Sequence, residues 1–217
     1  LGGTFSGTGM TGSNFNPSTA GVGSHPITYT FTDGNGCTDS ASQNQVVNAL
    51  PTVTFGALSD VCLNGGLLAL TQGSPTGGTY SGTGVSGSNF NPAAAGVGTT
   101  TITYSYTDGN SCSDNATSNI TVDPLPNVTL GAIASLCEGS NAITLTTGSP
   151  VGGNYFGTGV SGTTFNPTTA GAGTHTISYA FSDGNSCSDT TTTSVVVFGQ
   201  PSVTLSTLSP VCADASP

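Results

Sequence analysis

Residues 77–92 read GGTYSGTGVSGSNFNP, and nearly the same stretch occurs at residues 2–17 (GGTFSGTGMTGSNFNP) and 152–167 (GGNYFGTGVSGTTFNP). The three copies are equally spaced along the chain, which makes it a tandem array. The same spacing relates the three DGNGC or DGNSC stretches that begin at Asp33, Asp108 and Asp183. No residue is inserted or lost between copies, so one repeating module determines the fold.

Prolines at positions 51, 126 and 201 share this period and lie between strand-like runs, where a missing N–H group is tolerated. They mark the predicted module boundaries. Residues 51–125 and 126–200 are then complete modules. Residues 1–50 are the C-terminal part of a module that lacks its first two strands, and residues 201–217 hold the first strand of a following module.

Short alternating runs inside each module predict β-strands. In residues 51–125 these runs are PTVTFGAL, LLALT, GTYSG, SNF, TTTITYSYT and NATSNITV, each bounded by glycine, proline, asparagine or aspartate. No helical period is present, so we expect an all-β chain of tandem immunoglobulin-like antiparallel β-sandwich modules with a 75-residue period. The chain has no tryptophan, and the predicted core therefore uses these aromatic residues: Phe15, Tyr29, Phe31, Phe90, Tyr104, Tyr106, Phe165, Tyr179 and Phe181.

The charge of the chain excludes two classes of partner. It has no lysine or arginine, ten carboxylate residues and a net charge of −10. Nucleic-acid binding and docking on an anionic membrane both need basic side chains, so neither is expected. No apolar run is long enough to cross a bilayer, and no signal peptide is recognisable, so any export signal would lie outside this chain.

The DGNxC stretch lies where a hairpin must reverse, between the last two predicted strands. Asp-Gly and Gly-Asn suit a tight turn, and we interpret the stretch as a turn. Calcium is the alternative, because carboxylate and amide oxygens recur at fixed spacing. The candidate calcium ligands are Asp33, Asn35, Asp39, Asp108, Asn110, Asp114, Asp183, Asn185 and Asp189. No other cofactor is expected.

An enzyme is not expected. A reactive thiolate needs a nearby cation or histidine, and the basic residues are limited to His25 and His175. These two occupy equivalent positions, but Thr100 replaces them in the middle module, so we interpret them as surface residues where a strand begins. The sequence contains no Ser–His–Asp constellation, phosphate-cradling loop or cysteine-pair metal spacing.

The cysteines indicate an exported, oxidised protein, because their number is even and they are evenly spaced along the chain. All six are expected to form disulfides: Cys37, Cys62, Cys112, Cys137, Cys187 and Cys212. Three pairings are open: within modules (Cys62 with Cys112), between consecutive modules (Cys62 with Cys187) and across the linker (Cys37 with Cys62). Immunoglobulin topology places the within-module pair at opposite ends of the sandwich, roughly 25–35 Å apart, whereas a disulfide needs Cα atoms within about 7 Å.

The combination VC…GGTYSGTGVSGSNFNP…AGVGTTTITYSYTDGNSCSD resembles the immunoglobulin-like or PKD-like tandem repeats of large secreted surface proteins of Bacteroidota, many of them exported by the type IX system. The resemblance covers the whole chain and implies a location outside the cell or on its surface. In such domains, disulfides most often form within a module. The resemblance also suggests O-glycan acceptors at Ser40 and Thr190, which follow Asp39 and Asp189.

Two function classes remain open from the sequence. The first is a structural stalk or filament, which we favour because the modules are near-copies even in their loops, whereas specific binding usually depends on loops that vary. The second is an adhesin that binds a glycan or another surface, with calcium assisting. A third, an ice- or surface-binding array, would need a flat threonine face.

The two ends of the chain complement each other, because residues 1–50 lack the first strands and residues 201–217 supply one. We expect copies of the chain to associate head to tail, with Val203 and Leu205 of one copy in the sheet formed by residues 1–50 of the next. The alternative is a window cut from a longer continuous array. In either version an open sheet edge is covered by pairing.

Overall fold

The structure is a computed structural model that describes residues 2–213. The chain divides into two compact units, of which the first ends at Val122 and the second begins at Asp123. The described residues are all-β, with strands arranged in several sheets and three one-turn helices. None of these helices has the length and hydropathy to span a membrane.

The elements of residues 1–50 are β1 (Thr4–Ser6), β2 (Met10–Thr11), β3 (Asn14–Phe15), α1 (Pro17–Ala20), β4 (Gly23–Thr32) and β5 (Thr38–Val47). Those of residues 51–125 are β6 (Thr54–Phe55), β7 (Val61–Cys62), β8 (Leu68–Ala69), β9 (Gly73–Ser74), β10 (Thr79–Ser81), β11 (Val85–Ser86), β12 (Asn89–Phe90), α2 (Pro92–Ala95), β13 (Gly98–Thr107) and β14 (Ser113–Asp123). Those of residues 126–200 are β15 (Thr129–Leu130), β16 (Leu136–Cys137), β17 (Ile143–Thr144), β18 (Gly148–Ser149), β19 (Asn154–Phe156), β20 (Val160–Ser161), β21 (Thr164–Phe165), α3 (Pro167–Ala170), β22 (Gly173–Ser182) and β23 (Ser188–Phe198).

A long antiparallel hairpin dominates each module: β4–β5, β13–β14 and β22–β23. In the two complete modules the most buried residues of these strands are apolar, and the outward residues are mostly threonine, serine and asparagine. This period of two buries one face of the hairpin, which is why β-branched and aromatic side chains alternate with hydroxyls in the sequence.

The core of the second unit gathers side chains from two of its sheets, which have the strand orders β16-β23-β22-β19 and β17-β21-β20. Its buried side chains are Val128, Leu145, Tyr155, Phe165, Ile177, Tyr179, Val195 and Val197. In the first unit the corresponding cluster of the middle module contains Leu70, Phe90, Ile102, Ile120 and Val122. The predicted core aromatics Phe90, Tyr104, Phe165 and Tyr179 are therefore buried, whereas Phe31 is exposed.

Each FNP corner forms a single helical turn where the sequence predicted essentially no helix. Asn91 is the N-cap, and its side-chain oxygen accepts from the backbone N–H groups of Ala93 and Ala94. Pro92 occupies the first helical position and Gly96 ends the turn at φ 81°. Helices often begin with an asparagine followed by a proline, and they often end at a glycine. The sequence has this pattern, with the glycine four residues after the proline, so the signal for the turn was present.

The predicted first strand of each module is two short strands in two different sheets. Leu130 of β15 pairs with Gly148 of β18, and the chain then crosses to the other sheet, where Leu136 and Cys137 of β16 lie beside Val197 and Phe198 of β23. That second pairing is parallel, so the sheets are not purely antiparallel. Nothing in PNVTLGAIASLC indicates this crossing, because apolar residues lie on both sides of the break.

The predicted strand of a following module is not formed in this single chain. Residues 201–213, the described part of the predicted segment 201–217, contain no strand. A lone strand is not expected to persist in water, because its backbone groups need a neighbouring strand as hydrogen-bond partner.

Candidate functional site

The DGNxC stretches are tight hairpin turns organised by their aspartate. Asp108 Oδ1 accepts from the backbone N–H groups of Asn110 and Cys112, both at 2.9 Å, and the Asp108 N–H donates to the Cys112 carbonyl, also at 2.9 Å. Asp183 makes the same three bonds. Ser111 and Ser186 hold the left-handed conformation at φ 65° and 66°, which explains why Gly36 suits this position in the first copy. The turn interpretation accounts for each of these residues.

Hydrogen bonding changes the acidity of one of these aspartates. The N–H groups of Cys37 and Asn35 donate to the Asp33 carboxylate, and these bonds lower the pKa of Asp33 below its ordinary value of 3.8. Because the charged form is favoured in the folded hairpin, its contribution to stability is present above pH 3.8 and is lost as the pH falls through the lower pKa of the folded state.

We therefore expect the Asp33 carboxyl to titrate below pH 3.8 and the Cys37 amide to lose protection from hydrogen exchange over the same interval. Carboxyl-detected NMR titration and amide exchange measure the two effects. The variant Asp33→Asn keeps an acceptor oxygen but cannot titrate, so its Cys37 amide should show no such pH dependence. A titration at or above 3.8 in the natural chain would show that the carboxylate is not held by these bonds.

The other candidate calcium ligands lie either on the strands that follow the turns or within the turns. Asp39, Asp114 and Asp189 lie on β5, β14 and β23, and each accepts a bond of 2.8 Å from the N–H of the next residue, Ser40, Asn115 or Thr190. Asn35, Asn110 and Asn185 lie at the turn and donate through their backbone. Within residues 2–213 there is no group of three or more His, Cys, Asp or Glu side chains arranged to hold a metal ion. Calcium binding stays a prediction.

The six cysteines are in two states. Cys62 and Cys187 are disulfide-bonded, whereas Cys37, Cys112, Cys137 and Cys212 carry free thiols in this single chain. Free thiols at Cys112 and Cys137 do not fit pairing within modules, and a free thiol at Cys37 does not fit pairing across the linker. The four free cysteines are the ones that pairing between consecutive modules leaves without a partner in this chain.

The geometry of the second unit opposes within-module pairing for a physical reason. Cys137 lies beside Phe198, at the end of β23, while Cys187 directly precedes Ser188, at its start. Ten residue steps of an extended strand separate these two ends, roughly 33 Å. That distance is several times the Cα separation that a disulfide can bridge.

The two histidines take part in local structure where a long strand begins. Nε2 of His175 donates to the Gly171 carbonyl at 2.9 Å, and Nε2 of His25 donates to the Gly21 carbonyl at 2.8 Å. The His175 ring lies 6.4 Å from the ring of Phe165, centroid to centroid. Both histidines therefore close the loop between the helical turn and the strand.

One apolar face is left open in the first unit. Phe165 and Ile177 are fully buried, as are Phe90 and Ile102, but their counterparts Phe15 and Ile27 are half-buried. The side chains that form this open apolar face are Phe5, Met10, Phe15, Ile27 and Tyr29, which line a groove of about 510 Å³. The sheet β1-β4-β5 has three strands, whereas each complete module adds a fourth strand, β7 or β16, beside its last long strand.

An apolar segment at the other end of the chain is exposed to solvent. Val203 and Leu205, the predicted polymer contacts, are 86% and 84% exposed, and Leu208 and Val211 are exposed to a similar degree. We call residues 201–212 the exposed apolar segment. Large apolar side chains concentrated in this way are typical of a surface that another surface covers.

The sequence reasoning missed the second tyrosine of each core. Tyr155 packs against Tyr179 with ring centroids 4.6 Å apart and the ring planes tilted by 46°, and its hydroxyl accepts a bond of 2.8 Å from the Gly148 N–H. The Tyr179 hydroxyl accepts from the Gly153 N–H and donates to the Pro150 carbonyl. The signal was available as the aromatic residue that follows each GG pair after one intervening residue, and the hydroxyls explain why tyrosine is used there.

The predicted glycan acceptors are accessible. Ser40 lies on β5 and Thr190 on β23, and both side chains are exposed. Their glycosylation stays a prediction.

Comparison with known proteins gives remote structural likenesses. No family model matches this chain, and no curated protein matches it. Among solved structures, it is similar to a Ca²⁺-stabilised adhesin that helps an Antarctic bacterium reach out and bind ice, with 15% identity over 82% of this chain and 58% of that one, at a TM-score of 0.35. It is also similar to an endo-fucoidan hydrolase of glycoside hydrolase family 107, with 15% identity over 84% of this chain and 35% of that one, at 0.28. The insect immune protein hemolin shares 10% identity over 81% of this chain and 56% of that one, at 0.26.

The chain spans less than two thirds of each of these solved structures. All three TM-scores lie below 0.5, so the functional argument rests on the residues of this chain.

Proposed function

We propose that this chain is a structural repeat segment of an extracellular filament or cell-surface stalk. It consists of tandem immunoglobulin-like β-sandwich modules that assemble head to tail and are stabilised by disulfides. The observation that carries this proposal is that the modules repeat their loops as faithfully as their cores. The turn at Asp108 and the turn at Asp183 have the same hydrogen bonds at the same distances, as expected for a spacer and not for a set of diversified binding loops.

Disulfides between consecutive modules form part of the proposal, with Cys62 bonded to Cys187. The free thiols at the four other cysteines support this pairing. Such a bridge would close a loop that contains more than half of the chain, and a long closed loop removes much entropy from the unfolded chain. Because the chain has no lysine or arginine, trypsin-like proteases also find no site in it, which suits a protein exposed outside a cell.

We also propose that the protein is exported to the surface of a member of the Bacteroidota by the type IX system and carries O-glycans on Ser40 and Thr190. The sequence resemblance and the exposure of both side chains support this. The proposal involves no enzymatic activity, nucleic acid or membrane insertion.

An adhesin is the second candidate, and rows of hydroxyl groups favour it. On the outward face of β13 and β14, Thr99 lies within 3.3 Å of Thr121 and the Thr101 hydroxyl donates to Asn119 at 2.9 Å. Adjacent ordered hydroxyls suit a glycan or another polar surface. If adhesion is the function, Thr101→Val should weaken attachment of the chain to its surface, whereas Thr101→Ser should not.

Pulling one chain by its two ends tests the structural proposal. A bridge from Cys62 to Cys187 keeps the chain between these two residues inside a closed loop. Unfolding of the oxidised chain should therefore release about 400–450 Å less length than unfolding of the reduced chain. Optical-tweezers traces before and after addition of reductant measure the difference.

The double variant Cys62→Ser/Cys187→Ser is the control and should release the full length in both conditions. If the oxidised and reduced natural chains release the same length, the bridge between Cys62 and Cys187 is absent. The proposal that disulfides between modules stabilise the stalk is then wrong.

A further inference from the structure

The outward face of one sheet in the second unit departs from the repeat at two positions. Phe156 stands where both other copies have serine, and Ala180 stands where they have serine or threonine. The equivalent residues are Ser6 and Ser81 for the first position and Thr30 and Ser105 for the second. Each difference replaces a hydroxyl group by an apolar side chain, so the third copy alone carries apolar groups at both positions.

These two positions are neighbours in the sheet. Tyr155 of β19 is buried, so Asn154 and Phe156 on either side of it point away from the core. Phe156 pairs with Ser178 of β22. Asn154 pairs with Ala180 of the same strand. Residues on a diagonal across two adjacent strands are within reach of an aromatic side chain, so Phe156 and Ala180 form one apolar patch, which we call the Phe156 patch.

Hydroxyl groups border the Phe156 patch, and no charge lies among them. On β23, Thr192 pairs with Ser178 and Thr190 pairs with Ala180. Both threonines are exposed. The charged residue of β23, Asp189, alternates onto the opposite face of the strand. This part of the sheet therefore presents an exposed aromatic ring beside ordered, uncharged polar groups.

We propose that the Phe156 patch binds a neutral glycan, with the ring of Phe156 packed against one sugar. A sugar ring presents C–H groups on its face and hydroxyl groups at its edge. The C–H groups carry a partial positive charge, which the negative face of an aromatic ring attracts. The sugar hydroxyls exchange hydrogen bonds with Asn154, Thr190 and Thr192, which orient the ligand as the few polar groups of a binding site do. The proposal rests on the adhesin candidate of the proposed function, since it names the ligand class and the residues that bind it.

The size and the charge of the patch argue against a protein or an acidic ligand. Phe156 is 53% exposed, and a whole aromatic side chain buries only roughly 150–250 Å². A stable protein interface needs about 800 Å² from each partner, so the patch is too small for one, whereas a single ring suits a single sugar. The net charge of −10 also opposes the approach of acidic glycans and of a second copy of this chain.

NMR titration of the whole chain with cellohexaose, chitohexaose and xylohexaose tests the site, because it detects weak binding residue by residue. At least one of these neutral sugars should shift the ring signals of Phe156 and the amide signals of β19 and β22, and the acidic hexagalacturonate should not. The variant Phe156→Ser should bind about 10- to 100-fold more weakly, because it loses the apolar contact. It should fold normally, since serine occupies this position in both other copies. Phe156→Tyr keeps the ring and should bind like the natural chain.

Two further variants control for exposure and for the rest of the module. Phe198 is 58% exposed but lies at the end of β23, away from the patch, so Phe198→Ser should bind like the natural chain. The variant Ser81→Phe/Ser105→Ala should create a second patch on the middle module, because β10 and β13 pair in the same register as β19 and β22. Isothermal titration calorimetry should then find two binding sites for each chain instead of one.

Four results would overturn the proposed site. They are the absence of shifts at this face with all three neutral sugars, unchanged binding by Phe156→Ser, preferential binding of hexagalacturonate, and dimerisation in sedimentation that depends on Phe156. If Thr101→Val still weakens attachment to a surface in any of these cases, the adhesin candidate remains and only the Phe156 patch is wrong. If the patch binds a neutral sugar but the chain does not attach to a surface coated with that sugar, the site remains and the adhesin candidate is wrong.

Discussion

Replacing Phe165 with alanine should lower the free energy of unfolding of the second unit by about 3–5 kcal/mol. The ring is fully buried at the centre of the cluster that contains Ile177 and Val195, so the variant loses both the transfer free energy of the ring and the contacts that line the cavity. Hydrogen exchange of the slowest amides of β22 and β23 measures this loss for the second unit alone, without assuming that the whole chain unfolds in one step.

Phe15→Ala is the matched control for this prediction. Phe15 lies in the same FNP corner of its module, but it is half-buried because the face above it is open. In dispersed, reduced chains its replacement should cost clearly less than that of Phe165. Equal losses at the two positions would mean that the partial module is packed as well as a complete one, and that its apolar face is not open.

Replacing Gly148 with alanine should destabilise the second unit by about 2–4 kcal/mol. A Cβ atom at this position would lie 2.6 Å from Cε2 of Tyr179 and 2.7 Å from the hydroxyl oxygen of Tyr155. The two tyrosine rings pack against each other in the core and hold the backbone by hydrogen bonds, so neither ring can move without breaking one. The loss of the near-ultraviolet tyrosine signal on heating reports the change in stability.

Gly184→Ala provides the comparison, because a Cβ atom at Gly184 meets nothing within 4 Å and its φ is not in the left-handed region. We expect a change within about 0.5 kcal/mol. If Gly148→Ala is as well tolerated as Gly184→Ala, the close approach of the backbone to the tyrosine pair does not determine the stability of the core.

The long hairpins were predictable from the sequence, and the reason is physical. Alternation in TTTITYSYT has a period of two that fits a strand with one buried face, and Asp108 with Gly109 and Asn110 forms the turn that the residue types indicate. Local sequence decides these elements, because the two strands of each hairpin follow each other directly and the turn between them sets their register.

The crossing of the first strand between sheets was not predictable in the same way. Leu130 and Leu136 each fit a strand locally, and the choice between one long strand and two short ones depends on β18 and β23, which lie far along the chain. Tertiary pairing therefore overrides the local pattern here. The single turn after Asn91 was missed for a different reason, since a one-turn helix has no hydrophobic period and is visible only through its capping residues.

The candidate site was partly predictable because the repeat allows one module to be compared with another. The repeat alone relates Val203 to Val128. The state of each cysteine was not predictable, since three pairings satisfied the spacing. The structure places Cys137 and Cys187 at opposite ends of β23, which opposes pairing within a module. The length of the strand, and not the spacing in the sequence, sets the distance between these two cysteines.

Low-dose electron imaging of the native material tests the proposed function most directly. If the modules continue from one chain to the next, the images should show thin, unbranched threads. The same module should recur along the whole thread, with no break between chains. Dispersed globular particles of the mass of a single chain, with residues 2–50 folded and their apolar face covered by nothing from outside, would contradict the proposed stalk.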